Sequence, residues 1–125
     1  MSTQDTGHSI TLQRLEGLAA FAAGIVLYGW LSQSWLIFAL LFFVPDLSML
    51  GYLRSSRLGA LSYNAGHTYV APALLAALGL VVGPLALGIA AIWLAHIGFD
   101  RALGYGLKLG EGFGHTHLGL VGKAR

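Results

Sequence analysis

Four long apolar stretches, separated by short polar breaks, occupy most of this 125-residue chain. They run over residues 15–31, 35–53, 58–82 and 84–107. A helix needs about 17–25 mainly apolar residues to cross a hydrocarbon core, and each stretch meets that length. The sequence therefore predicts an all-α fold, a bundle of four transmembrane helices within residues 14–107.

Composition argues against a soluble protein. Hydrophobic residues make up 56% of the chain and charged residues only 10%, whereas soluble domains contain about 25% charged residues. A chain this short has too little interior to hide so much apolar surface, so most of it must face a lipid bilayer. The lack of cysteine excludes a disulfide framework and a thiolate metal site. The net charge is only +2 and the basic residues flank the apolar stretches, so we expect no nucleic-acid partner.

The basic residues all lie toward one side of the predicted bundle. They precede the first stretch, fall between the second and third, or lie at or beyond the end of the fourth, and they are Arg14, Arg54, Arg57, Arg101, Lys108, Lys123 and Arg125. The other two loops contain no Lys or Arg. The positive-inside rule then places both termini in the cytoplasm, as a polar N-terminal arm, residues 1–13, and a Gly- and His-rich tail, residues 108–125.

Polar side chains inside three of the predicted helices fall at one depth. Ionisable groups are expensive in a bilayer and by default indicate function. At about 1.5 Å per residue, five polar residues lie roughly 9–17 Å from the cytoplasmic ends of their helices: Asp46, Asn64, His67, His96 and Asp100. We expect them to form a pocket that faces the cytoplasm. Arg101 beside the layer and Glu16, which lies shallower in the first helix, are further candidate pocket residues.

Residue spacing supports a common face. His96 and Asp100 are four residues apart, and Asn64 and His67 are three apart, so each pair projects from one side of its helix. Pro45 removes a backbone hydrogen bond directly before a carboxylate. We therefore expect the second helix to bend at that level and to open space beside the carboxylate.

Two His and two Asp side chains form a donor set suited to a divalent metal, with zinc favoured. In this interpretation Asp46, His67, His96 and Asp100 bind the ion, and a water at an open coordination position acts as the nucleophile. Asp46 or Asp100 would serve as the general base. The predicted activity is hydrolysis of a lipid-like or amphiphilic substrate.

Two other interpretations stay open. The polar layer can be a hydrogen-bonded network that only fixes helix register, with Asp100 paired to His96 and Asp46 paired to His67 or Arg101. The protein would then be a non-catalytic bundle or an accessory subunit. Alternatively, the layer can line a path for protons or a small transported substrate. A noncovalent haem, pigment or quinone, held by His67 or His96, is an alternative cofactor.

Several segments together resemble a family of small bacterial membrane proteins with four predicted spans and no known function. They are residues 45–52, 63–64, 67–69, 95–108 and 116–119. The resemblance implies a stand-alone, multi-pass protein of the bacterial inner membrane, and it supplies no activity. A looser chemical similarity is to intramembrane zinc hydrolases of the alkaline ceramidase type, which gather Asp and His from several helices. This chain has fewer spans and lacks their paired HxxxH.

The tail carries two alternate histidines, His115 and His117. In an extended segment they would point to the same side, where they could bind a metal or cover the cytoplasmic opening. The alternative is a solvated Gly-rich tail without a site. The family resemblance favours His117 as the additional metal ligand, because it lies within the shared segment.

Glycines on two helices indicate close helix packing. Gly79 and Gly83 form a GxxxG run at the end of the third stretch, and Gly17 and Gly24 lie on one face of the first. Small faces let helices approach closely, either within one bundle or between subunits. A homo-oligomer formed through these faces is therefore one of two possibilities.

Overall fold

The structure of the protein is a computed structural model that describes residues 3–108, 115–116 and 118–120. The described part is helical apart from one short hairpin. Its elements are α1 Thr3–Trp30, α2 Trp35–Leu41, a 3-10 helix Val44–Leu53, α3 Ser56–His67, α4 Val70–Val82, α5 Pro84–Leu103, and the antiparallel strands β1 His115–Thr116 and β2 Gly119–Leu120.

Three segments are long and apolar enough to cross a membrane. They are Thr6–Trp30, Trp35–Leu53 and Pro84–Leu103. The helices α3 and α4 form a fourth if their pair, bent by 41°, is counted as one span. The expectation of several membrane-crossing helices is confirmed at this level, while the exact four-span bundle and the cytoplasmic termini stay predictions.

The first helix begins well before the first apolar stretch. Helix α1 starts at Thr3 and continues through the polar segment and His8 to Trp30. The Thr11 hydroxyl donates back to the Gly7 carbonyl within this polar part, at 3.0 Å. The change in polarity near Leu15 therefore does not mark a helix end.

Helix α1 packs antiparallel against α5, which contains more buried residues than any other described helix. A Cβ on Gly24 would lie 2.7 Å from the Ala91 carbonyl oxygen and 2.9 Å from the Ala95 Cβ. In return, a Cβ on Gly98 would lie 2.5 Å from the Gly17 carbonyl oxygen. The glycine face of α1 thus serves packing within the chain. The homo-oligomer stays a prediction.

The 3-10 helix forms a second antiparallel pair with α3. Tyr52 lies directly over Gly59, and the Ser62 hydroxyl donates to the Ser48 carbonyl at 2.7 Å. The α-helical hydrogen bonding of α2 stops just before Pro45, where the 3-10 helix begins. Ten residues of 3-10 helix are unusually long. The helix type thus changes just before Pro45, while the bend expected there stays a prediction.

The third predicted helix is broken immediately after His67. Thr68 is extended, with ψ 142°, and α4 starts two residues later. Pro72 lies in the first turn of α4, where its missing N–H does no harm. In one continuous helix its ring would clash with the Thr68 carbonyl four residues earlier. The break therefore has its cause in the sequence, and it places His67 at a helix end.

Side chains of α5 satisfy the carbonyls that this break leaves free. The Trp93 indole N–H donates to the Gly66 carbonyl at 2.6 Å. The Arg101 guanidinium donates to the His67 carbonyl at 2.9 Å. The last carbonyls of a helix have no partner within the helix, and irregular backbone at membrane depth must be satisfied by protein or water. Helix α5 thus fixes the end of α3 at the level of the polar layer.

Candidate metal centre

Four ionisable side chains converge at the level of the helix break. Each of Asp46, His67, His96 and Asp100 offers one ligand atom, and the four atoms lie within 4.8 Å of one another. Asp46 comes from the 3-10 helix, His67 ends α3, and His96 and Asp100 are one turn apart on α5. Four of the five residues that the sequence predicts as metal ligands are therefore adjacent in space.

The distances within the cluster are nearly equal. The two Nε2 atoms of His67 and His96 are 3.1 Å apart. The Oδ1 atom of Asp46 lies 3.2 Å from each of them. The Oδ2 atom of Asp100 lies 3.4 Å from Nε2 of His67 and 3.3 Å from Nε2 of His96. Five of the six separations among four ligand atoms thus fall between 3.1 and 3.4 Å.

The His67 ring is held in one orientation. Its Nδ1 lies 2.9 Å from the Tyr63 carbonyl, and a carbonyl can only accept, so Nδ1 carries the hydrogen. The ring of Tyr63 stacks on the imidazole with a centroid separation of 3.8 Å and an interplanar angle of 7°. In the neutral ring, Nε2 therefore presents its lone pair to the other three ligand atoms. A second hydrogen-bond partner that fixes the ring is typical of metal-binding histidines.

The four ligands differ in exposure. The side chains of His67 and His96 are 0% and 1% exposed, whereas those of Asp100 and Asp46 are 15% and 33% exposed. Phe42 contacts the His96 ring edge to face, at 5.3 Å between centroids. The imidazoles thus form the buried wall of the cluster, and the Asp46 carboxylate is its accessible side.

Comparison with known proteins gives a family without an activity. The family model described as "Domain of unknown function (DUF4260)" matches residues 10–121. The chain belongs to this family. The expectation of an uncharacterised family is confirmed, and all four cluster residues lie within the matched part of this DUF4260 chain. No curated protein and no solved structure matches the chain.

Asn64 binds backbone instead of the cluster in this DUF4260 chain. Its amide donates to the Lys108 carbonyl at 2.8 Å, and its side-chain oxygen accepts from the Lys108 N–H at 2.5 Å. The Lys108 ammonium lies over the Tyr63 ring, 4.8 Å from its centroid. Burial lowers the pKa of Lys108 below its usual range, while the charge of Asp100 opposes that shift. Asn64 thus fastens the segment after α5 next to the ring that stacks on His67.

The other predicted pocket residues take different places. Arg101 is 5% exposed and binds the carbonyls of His67 and Tyr105. Glu16 is exposed on α1 and lines a separate groove with Tyr69. His117 lies outside the described residues. Tyr63 is not among the predicted site residues. Its position four residues before His67 on one helix is the sequence signal that indicates contact between the two rings.

Proposed function

We propose that the cluster of Asp46, His67, His96 and Asp100 binds one divalent metal ion and uses it to hydrolyse an ester or amide bond of a lipid-like substrate. The observation that carries the proposal is the near-equal spacing of the four ligand atoms. Zinc ligands at about 2.0–2.1 Å in tetrahedral geometry are about 3.3 Å from one another. Five of the six separations, at 3.1–3.4 Å, correspond to that arrangement. The sixth, between the two carboxylates, lies within 4.8 Å.

Hydrogen bonds among the four side chains, without a metal, account less well for the same distances. A neutral His67 presents a bare Nε2, because its hydrogen is on Nδ1 facing the Tyr63 carbonyl. His96 would then supply a single N–H for three acceptor atoms. If both imidazoles were protonated, two cationic rings would face each other with 3.1 Å between their Nε2 atoms. A cation at the centre satisfies all four lone pairs together.

Charge balance also favours a divalent ion. Two carboxylates and two neutral imidazoles carry a charge of −2, which a divalent ion neutralises. An uncompensated charge at membrane depth is costly, so a neutral site suits a cluster whose imidazoles are fully buried. Mixed nitrogen and oxygen ligands in a four-coordinate site favour zinc.

Hydrolysis requires an accessible side, and Asp46 provides it. A divalent ion lowers the pKa of a bound water toward neutrality and polarises a carbonyl oxygen. The Asp46 carboxylate, 33% exposed, would give up its ligand position to this water and accept a proton from it as the general base. The water oxygen would bond to the carbonyl carbon, the bond to the alcohol or amine would break, and the leaving group would take a proton. Asp100, paired with His96 on one helix, would remain a ligand.

The location of the site is part of the proposal. Arg14 donates to the Ala102 carbonyl at 3.0 Å, so the start of the first span and the end of α5 lie together, as the basic residues predict. By the positive-inside rule this end faces the cytoplasm of a bacterium. The cluster would then lie in the cytoplasmic half of the inner membrane, where it meets lipid-like molecules directly.

Metal content tests the proposal first. Protein purified in mild detergent would be measured by elemental analysis for the wild type, for His96→Ala, and for His8→Ala as a control at an exposed histidine of α1. We expect about one divalent ion per chain in the wild type and in the control, and almost none in His96→Ala. An equal, substoichiometric content in all three proteins, before and after zinc addition, would overturn the metal site.

A structural polar layer is the second candidate, because the ligand atoms are also within hydrogen-bond distance of one another. In that case His96→Ala lowers the thermal stability equally with and without zinc. A metal site instead shows a zinc-dependent gain in stability that His96→Ala abolishes. Hydrolysis is then tested by release of fatty acid from acyl esters and amides presented in micelles.

A further inference from the structure

An apolar groove begins directly beside the cluster. It lies between the α2 and 3-10 segment, α3 and α5, and its volume is about 390 Å³. Its lining includes Val44, Pro45, Gly66, Ile89, Ile92 and Trp93. A volume of this size is at the lower end of the range for small-molecule pockets, about 300–1,000 Å³. The groove therefore suits one slender apolar group.

The chain connects this groove with three of the four ligands. Pro45 precedes Asp46, Gly66 precedes His67, and Ile92 is one turn before His96. The Trp93 indole is fixed along the groove wall by its hydrogen bond to the Gly66 carbonyl. Ser48 of the groove lining also lies beside the cluster, with its hydroxyl oxygen 3.4 Å from Nδ1 of His67. The groove therefore reaches the side of the His67 imidazole.

The direction of the groove fits an amphiphile in a bilayer. On the 3-10 helix and on α5, both of which run toward the Arg- and Lys-rich end, the groove residues Val44 and Ile89 precede the ligands. The groove therefore begins at the level of the ligands, at Ser48 and Gly66, and extends mainly away from the basic end and toward the middle of the membrane. A molecule with its polar head at the cluster would point its hydrocarbon chain along the groove.

We propose that this groove holds a single acyl chain whose carbonyl end lies at the metal centre; this inference rests on the proposed function and names its substrate class. The groove lies within spans that face lipid, so a hydrocarbon chain can enter it from the bilayer. Its walls are apolar, so they favour a hydrocarbon chain over water. The occupant is an acyl ester or acyl amide with one chain in the protein.

Tryptophan quenching by a brominated chain tests the position of the acyl group. The protein has three tryptophans. Replacing the exposed Trp30 and Trp35 by Phe leaves Trp93 as the fluorescent reporter. The probe is brominated palmitamide, titrated into zinc-loaded protein in detergent. We expect saturable quenching of Trp93, with a half-saturation concentration raised at least about tenfold by Ile89→Phe, which fills the groove.

A matched control uses the same helix. Leu85 is four residues before Ile89, is 64% exposed and is outside the groove lining, so Leu85→Phe should leave the half-saturation unchanged. Both substitutions enlarge exposed side chains, and both proteins should fold. Quenching that rises linearly with probe concentration without saturating would contradict binding of the acyl chain in this groove. Equal half-saturation concentrations in Ile89→Phe and Leu85→Phe would contradict it as well.

A chelating head group tests the connection to the metal. Brominated palmitoyl hydroxamate has the same chain and a head that binds divalent ions, so we expect it to bind at least about tenfold more tightly than palmitamide. His96→Ala should remove that difference. Equal affinity of the two probes for protein shown to contain metal would overturn the inference alone. Failure of metal binding itself is seen separately by elemental analysis and would overturn the proposed function.

Discussion

The α1–α5 pair and the pair of the 3-10 helix with α3 are built in opposite ways. Helices α1 and α5 are continuous over 28 and 20 residues and approach through small side chains. The other pair has one helix without regular α-helical hydrogen bonding and one that stops at His67. Two cluster ligands come from each kind of backbone, His96 and Asp100 from the regular helix, Asp46 and His67 from the interrupted one. The regular α1–α5 pair thus supplies a rigid wall, and the interrupted pair brings the remaining two ligands to it.

Metal removal should have the largest effect on stability. At a free metal concentration about 1,000 times Kd, binding to the folded state contributes about 4 kcal/mol. We expect a chelator to lower the thermal stability of the wild type strongly and to leave His67→Ala almost unaffected, as measured by unfolding in detergent. His8→Ala should behave as the wild type. A chelator effect of equal size in His67→Ala would place the metal somewhere other than this cluster.

The regular pair can be tested without touching the cluster. Gly24→Val would push a side chain against the Ala91 carbonyl and Ala95, and overpacking of this kind costs about 1–3 kcal/mol. Gly7→Val on the same helix meets nothing within 4 Å of the added Cβ and should be much milder. We expect Gly24→Val to lower thermal stability while the folded fraction still contains metal. Loss of metal from the folded fraction would show that the two pairs are not separable.

The contrast between the two pairs also explains what could be predicted from the sequence. All four ligands follow from the sequence as ionisable groups at one depth of the predicted spans, and the spacing of His96 and Asp100 places these two on one face of α5. The bend after His67 was missed because the apolar stretch continues through it, although Pro72 marks the break. Hydropathy reports contact with lipid and is blind to where helical hydrogen bonds stop. For the same reason it misses the helical start of α1, where polar residues continue the helix.

The break between α3 and α4 is expected to tune the site with a moderate effect. Pro72→Ala restores the backbone N–H that a continuous helix needs, and a straighter α3–α4 pair would move His67 relative to α5. We expect zinc affinity, measured by competition with a chelating dye, to fall about tenfold, at the lower end of the effect of losing support around metal ligands. Pro84→Ala is the matched control, since Pro84 lies in the first turn of α5, far along that helix from His96. Unchanged affinity in Pro72→Ala would mean that the Trp93 and Arg101 hydrogen bonds alone hold the end of α3.

The smallest effect is expected at Asn64, where sequence and structure assign different roles. The sequence groups Asn64 with the cluster, whereas its two hydrogen bonds go to the backbone of Lys108. Each such bond contributes about 0.5–1.5 kcal/mol, so Asn64→Ala should lower global stability only slightly. Its main result should be faster hydrogen exchange at residues 105–108 with unchanged zinc content, because the segment after α5 loses its attachment to α3. Ser55→Ala, which removes the cap of the same helix at its other end, is the control for a general weakening of α3. If Asn64→Ala instead released zinc and Ser55→Ala did not, the hydrogen bonds of Asn64 would be needed to hold the metal ligands in place. Residues 105–108 would then be part of the metal site.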